Sequence, residues 1–328
     1  MVLYLTQSDV EQVLDMKTTI EVVERGFREM GSGGVEMPTR IYLHFERHNG
    51  VLIAMPAYIQ ALDAAGVKIV TAYPDNPSKY NLPSVIARIM LTDPSNGQPL
   101  AIMDGTYITT LRTGAAGAIG IKYLSRKESE TATIIGLGVQ GRSQLLGLNE
   151  VRDIKKVKVY DAIPDACKSY ARSMSKETGI EIEVAGSVEE AVNSADIVVT
   201  CTPSRTPILR SKMITEGMHV SAIGADTKDK RELDTGVLTK IAKTGKIVVD
   251  SISQALIAGD FAVPIQEGAL TGEDIYAEMG EVIVEKKRAR ETDKEITLFK
   301  ATGLAMEDIT VANEVYKLAR EKGLGKEI

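Results

Sequence analysis

Residues Thr131–Gln144, TATIIGLGVQGRSQ, decide the fold of this chain. A short apolar, β-prone run from Ala132 to Ile135 breaks at Gly136, Gly138 and Gly141, which gives the spacing G-x-G-x-x-G. Between a strand and a helix, the first glycine makes the tight turn, the second lets backbone approach a pyrophosphate, and the third lets helix close on strand. The phosphates then meet the free N–H groups at a helix N-terminus. The spacing alone would also suit a glycine-rich turn in a nucleotide-free sheet. A second apolar run, Val157 to Tyr160, strengthens the nucleotide reading because it ends in Asp161, twenty residues after Gly141. A carboxylate there accepts from a ribose 2′-hydroxyl. It would repel a 2′-phosphate, and Ala162, Ile163 and Pro164 supply no cation, so NAD is expected over NADP.

Around this stretch, apolar runs near 132–136, 156–160, 181–184, 196–201, 218–223 and 246–249 alternate with helical segments. Such alternation implies a doubly wound parallel sheet. Upstream the period differs. Thr6 to Asp9 has the form of a helix start, followed by apolar Val10, Val13 and Leu14 at helical spacing. A second amphipathic helix is expected over Lys17 to Met30, ending at Gly31. From Met37 to Asp104 the text is strand-like (RIYLHF, VLIAM, GVKIVTAY, VIARIMLTD, PLAIMDG), with Asp93 to Gly97, DPSNG, as a hairpin turn. Thr106 to Leu124, rich in Ala and Gly, returns to helix. After about Asp250 come helices, a short apolar run from Ile296 to Phe299, and a last helix from about Leu304 to Glu321. That helix has no place in the dinucleotide unit and is expected to pack back on the first domain. The fold class is therefore α/β: a Rossmann-type domain over 116–302 and a discontinuous α+β domain over 1–115 with 303–328.

Composition narrows the function. With 328 residues, 44% hydrophobic and 26% charged, the chain has ordinary globular content and room for two domains. A net charge of −6 argues against nucleic acid as a partner. No apolar run approaches the ~18 residues of a membrane span, and the N-terminus lacks a signal-peptide pattern. Cys167 and Cys201 read as free thiols of a reducing cytoplasm. His44, His48 and His219 have no metal-ligand spacing, so no metal is expected. Lys286 to Arg290, KKRAR, reads as a solvated helix end.

Ligands of open parallel sheets lie beyond the carboxyl ends of the strands. Two strand-end loops qualify. Thr200-Cys201-Thr202-Pro203 offers hydroxyls and backbone to a cofactor, or is a plain proline-terminated strand end. Ala222-Ile223-Gly224-Ala225-Asp226 presents a carboxylate that is either a general acid/base or a cap for the next segment. In the first domain, Lys68 interrupts an apolar strand, where a buried ammonium is costly unless it meets an anion such as a substrate carboxylate. Arg40 and Arg112 could complete a carboxylate clamp, although each taken singly also reads as a surface or salt-bridge residue.

Several segments, taken together and in order along nearly the whole chain, resemble the ornithine cyclodeaminase/mu-crystallin family. They are Gly66-Val67-Lys68-Ile69-Val70, Leu82-Pro83-Ser84, the run from Asp104 through Arg112 to Ala116, the glycine loop, Thr202-Pro203-Ser204, Ile223 to Asp226, and the run from Thr302 to Asp308. The resemblance implies a homodimer-forming substrate domain built from both chain ends and a site in the cleft beside the Rossmann domain. It makes Arg40, Lys68 and Arg112 substrate-binding residues. It implies that Ser84, Arg112, Val139, Gln140, Asp161, Thr202, Ala222 to Ala225, Lys230 and Thr302 hold the cofactor. Asp226, together with Lys68, becomes catalytic.

Within that family, Ile223-Gly224-Ala225-Asp226 followed by Lys230-Arg231-Glu232-Leu233-Asp234 looks nearest to the alanine dehydrogenases. The implied reaction is reductive amination of pyruvate by NADH, a small keto-acid and amino-acid chemistry. Ornithine cyclodeamination, pyrroline-2-carboxylate reduction and non-enzymatic ligand binding remain alternatives. Two positions depart from the family pattern: Ile53, where a charged residue is expected, and Ala301, where serine is usual. An apolar Ile53 removes a partner for a distal ammonium and mildly favours a small substrate.

Overall fold

The computed structural model describes every residue, Met1–Ile328, as two compact units. The first comprises Met1–Arg112 and Leu304–Ile328, and the second Thr113–Gly303.

The first unit begins with β1 (Leu3–Leu5) and α1 (Gln7–Glu11), the latter started by a complete capping box between Thr6 and Asp9. In α2 (Met16–Ser32) Asp15 caps the start, accepting from Thr18 N–H, and Ile20, Val22, Val23 and Phe27 are buried. The helix runs past Gly31 and stops at Gly33, whose φ of +84° is the left-handed conformation that ends helices. Gly31 sits at an ordinary helical position, so the expected end was two residues short.

The strands β2 (Val35–Glu36), β3 (Ile41–Phe45), β4 (Gly50–Ile59), β5 (Ala64–Ala72), β6 (Val85–Thr92) and β7 (Pro99–Asp104) follow, interrupted by α3 (Asn76–Tyr80). They pair antiparallel from β3 through β7, and β1 adds in parallel to β7. One face is sealed: Met55, Ala57 and Ile59 of β4, Ala64, Lys68 and Val70 of β5, and Ala87, Ile89 and Leu91 of β6 alternate inward. The next helix, α4 (Thr106–Leu124), has the bounds expected from its sequence and continues into the second unit.

The second unit holds β8 (Thr131–Ile135), β9 (Lys156–Tyr160), β10 (Glu181–Val184), β11 (Ile197–Thr200), β12 (His219–Ala222), β13 (Gly245–Val249), β14 (Ala277–Glu278) and β15 (Ile296–Lys300). All pair in parallel, in the order β10-β9-β8-β11-β12-β15-β13-β14. Its helices are α5 (Val139–Val151), α6 (Pro164–Thr178), α7 (Val188–Val192), α8 (Thr235–Thr244), α9 (Ile252–Ala255), α10 (Gly259–Gln266) and α11 (Met279–Ile283). The strand order reverses on either side of β8, which is the switch point where such sheets take ligands. The apolar run at 296–299 is the wholly buried strand β15, inserted between β12 and β13.

The chain returns to the first unit with α12 (Ala305–Lys322) and β16 (Lys326–Glu327), which pairs with β1. Residues Ala305 to Ala312 are buried without interruption, because α12 packs on α2 and on the sealed face of β4, β5 and β6. No helix is long and apolar enough to cross a membrane, and both cysteines are free.

Candidate active site

The candidate residues form two groups, one in each unit. In the second unit, Gly136 turns with φ of +95° and α5 starts directly behind Gly138 with no side-chain cap, so its first N–H groups remain open. A Cβ on Gly141 would lie 2.2 Å from the Gly136 carbonyl, so only glycine permits this closure of helix on turn. Val139 is exposed, and Gln140 accepts from the Ser143 hydroxyl at 3.1 Å.

Asp161 directly follows β9 and is partly engaged already. One carboxylate oxygen accepts Leu137 N–H at 2.9 Å and the other Ile163 N–H at 3.0 Å, which pins the glycine turn to the strand end. Each oxygen keeps capacity for a further donor. An open helix N-terminus, a turn that excludes side chains and a carboxylate at the adjoining strand end together fit a dinucleotide.

The other strand-end loops are held by acids. Thr202 gives both its N–H and its hydroxyl to Glu232, at 2.6 and 2.9 Å. Thr302 N–H and Gly303 N–H donate to Asp250, at 2.5 and 2.7 Å. Ala222, Ile223 and Ala225 are buried, and Gly224 N–H donates to Glu232. Asp226, about two-fifths exposed, pairs with Lys230 Nζ at 2.6 Å. Lys230 thus contacts the expected acid/base itself.

In the first unit, the anion that Lys68 requires is supplied by the protein. Lys68 Nζ lies 2.5 Å from Asp308 Oδ2, and Arg112 Nε lies 3.0 Å from Asp308 Oδ1. The Arg112 Nη1 group lies 2.8 Å from Glu307 Oε2. All four side chains are buried, three of them within helices α4 and α12 and Lys68 at the centre of β5. Burial, Arg112 and Arg40 push the Lys68 ammonium down to about 8, and Asp308 limits the fall. Burial works against Arg112 too, but Asp308 and Glu307 outweigh it and hold the guanidinium charged. Arg40 lies half-buried just before β3 rather than within it, close enough to act on Lys68. Ser84 is exposed immediately before β6, and its carbonyl accepts Tyr73 N–H.

A model of the ornithine cyclodeaminase/mu-crystallin family matches residues 2–323. The chain belongs to that family. An alanine dehydrogenase of Archaeoglobus fulgidus is 44% identical over 326 residues, covering 99% of this chain and 98% of its own. Among solved structures, the Thermococcus litoralis Δ1-pyrroline-2-carboxylate reductase in complex with NADH and L-proline superposes with a TM-score of 0.95 at 43% identity, over the full length of both chains. An archaeal alanine dehydrogenase dimer with bound NAD gives 0.93 at 44%, over 100% of this chain and 98% of its own.

For this member of the family, Glu232, Asp260, Asp250 and Glu307 are buried acids beside the candidate residues that inspection of motifs passed over. Glu232 and Glu307 stand within or next to the quoted segments, at Lys230 to Asp234 and Thr302 to Asp308. Neither is set apart locally: Glu232 lies between Arg231 and Leu233 and Glu307 beside Asp308, without the apolar setting that singled out Lys68.

Proposed function

We propose that the chain is an NAD-dependent enzyme acting on the C–N bond of a small α-amino acid, and specifically an alanine dehydrogenase. Pyruvate, ammonium, NADH and one proton give alanine, NAD⁺ and water, reversibly. The observation that carries this reading is the buried Lys68–Arg112–Asp308–Glu307 cluster, which keeps a proton-carrying lysine next to a permanent cation. Arg40, Lys68 and Arg112 orient the substrate carboxylate. Asp226 takes a proton from ammonium so that the nitrogen can attack the keto carbon. Lys68, ionising near pH 8, gives its proton to the hydroxyl that leaves as water. Hydride comes from the dinucleotide when it is bound by the glycine turn, Val139, Gln140, Asp161, Thr202, the Ala222–Ala225 loop, Lys230 and Thr302. Ser84 and Arg112 complete that set.

One observation also accommodates a second substrate, a cyclic imine such as pyrroline-2-carboxylate. Met55 lies opposite Lys68 and Ile53 opposite Val70, so Ile53 is the diagonal neighbour of Lys68 on the same face. It is half-buried and apolar, a wall suited to a methyl group or to ring methylenes.

The reading includes a homodimer. On the outer sheet face of the first unit, Ile41, Leu43, Ile69 and Met90 are 64%, 54%, 44% and 36% exposed. Strand register aligns Ile41, Ala54 and Ile69 in one row and Pro56, Val67 and Met90 in another. A contiguous apolar sheet face of this kind marks an association surface, and a relative of 44% identity is a dimer.

One assay panel tests the function: NADH oxidation with pyruvate plus ammonia, NADH oxidation with pyrroline-2-carboxylate, and ammonia release from ornithine with NAD. Turnover of pyruvate is expected, and turnover of ornithine alone sinks the dehydrogenase reading. Asp226→Ala should lower kcat by about 10²–10⁴-fold and leave NADH affinity within a few-fold. Unchanged activity would remove Asp226 from the chemistry.

A further inference from the structure

The fully buried carboxylate of Glu232 takes no part in the chemistry above. It accepts four hydrogen bonds. Oε2 receives the Thr200 hydroxyl at 2.9 Å and Gly224 N–H at 2.8 Å, and Oε1 receives Thr202 N–H at 2.6 Å and the Thr202 hydroxyl at 2.9 Å. Thr200 and Thr202 stand at the carboxyl end of β11, and Gly224 follows β12. One side chain thus ties two neighbouring strand ends together. The approach leaves no slack, since a Cβ on Gly224 would lie 2.2 Å from the Thr202 carbonyl and 2.7 Å from Glu232 Oε1. The glycine turn leans on the same segment: a Cβ on Gly136 would lie 2.7 Å from the Cys201 carbonyl. Asp226 is two residues beyond Gly224.

Glu232 is itself held from behind. Its N–H and that of Leu233 donate to Asp260 Oδ1 at 2.8 and 2.9 Å, and Asp260 Oδ2 pairs with Lys300 Nζ at 2.8 Å, both groups fully buried. Gly259 N–H donates to the Thr227 carbonyl, and a Cβ there would lie 2.1 Å from the Lys230 carbonyl. The start of α10 therefore carries the whole 227–233 segment. Burying an anion this completely is costly unless donors surround it, and here the donors are the last residue of β11 and the loops after β11 and β12.

We infer that Glu232 is a positioning residue: it fixes the gap between the Thr202 strand end and the Ala222–Asp226 loop, and so sets where Asp226 stands against the dinucleotide. The inference rests on the reading proposed above.

Glu232→Gln tests it, because the isosteric amide places a donor against an N–H or hydroxyl that needs an acceptor. NADH affinity, read by its fluorescence, should weaken roughly tenfold, and kcat should fall about 10- to 100-fold. The primary isotope effect on kcat with NADH dideuterated at C4 should exceed that of the wild type, because hydride transfer becomes slower relative to other steps. Simple misfolding lowers the active fraction and leaves the isotope effect where it was. A folded Glu232→Gln protein with affinity, kcat and isotope effect within about twofold of wild type overturns the inference. If that variant does not fold, Thr200→Val removes one donor at the last residue of β11, which is not among the proposed cofactor contacts. A fall in kcat of about two- to fivefold with the same rise in isotope effect supports the inference, and unchanged values overturn it. Wild-type protein that turns over none of the three substrates removes the functional reading instead. The NADH affinity of Glu232→Gln then decides the clamp: a loss of about tenfold supports it and equality with wild type overturns it.

Discussion

Each unit buries a charge cluster around a lysine, and the two are built differently. In the first, Lys68 and Arg112 face Asp308 and Glu307, so two cations balance two carboxylates. In the second, Lys300 faces Asp260 while Glu232 is neutralised by hydroxyl and backbone donors. The neighbour of Lys68 is a guanidinium, which helps to lower its affinity for a proton. Lys300 has a carboxylate partner that in turn grips two backbone N–H groups. On the proposed reading, the first arrangement lets a proton move and the second holds loops still. Burial and Asp260 push the Glu232 carboxyl up, and the Lys300 charge and Thr202 donors restrain the rise.

The contrast breaks most visibly when each lysine loses its partner. Asp308→Asn and Asp260→Asn each leave a wholly buried ammonium uncompensated, and each should lower unfolding free energy by roughly 3–5 kcal/mol in urea titrations. Only Asp308→Asn should also shift the pH at which reductive turnover declines. Equal pH profiles for the two variants would erase the distinction.

A smaller effect tests Lys68 directly. Its folded-state value of about 8 lies below the ordinary 10.5. Between those pH values the unfolded chain holds a proton that the folded chain has released, so stability should rise with pH across that window, and below pH 8 the full burial cost is present. The rise should amount to about 2 kcal/mol between pH 8 and 10 and disappear in Lys68→Met. In the wild type, kcat for reduction should fall as pH passes through 8.

Asp161→Ala should cost about 1 kcal/mol, since two N–H groups lose their acceptor. It should also relax the preference for NAD over NADP, and an unmoved ratio of kcat/KM values would remove the ribose contact. Least of all, Gly33→Ala should cost about 1 kcal/mol at the end of α2 through its positive φ. Turnover should be untouched, because neither cluster involves that turn.

The motifs set by neighbours in the chain were readable in advance. The capping box at Thr6, the hairpin at Asp93–Gly97, the bounds of α4 and the strand–turn–helix at the glycine loop all stand where residue order places them. The end of α2 was misjudged because three glycines lie close together and only backbone conformation tells which one leaves the helix. The strand β15 was legible only as an apolar run, since a buried parallel strand lacks the alternation of a half-exposed one.

The sequence by itself determined the class of sheet, the turn suited to a dinucleotide and the acid at the end of β9, because these depend on spacings of a few residues and on glycine sterics. Only the tertiary structure decided what Lys68 and Glu232 meet. Arg112 reaches its partners across 195 and 196 residues and Glu232 its hydroxyls across 30 and 32. A charge carries no mark of its partner in the local sequence; burial requires that one exist, and the packing of β5 on α12, and of β11 on β12, supplies it.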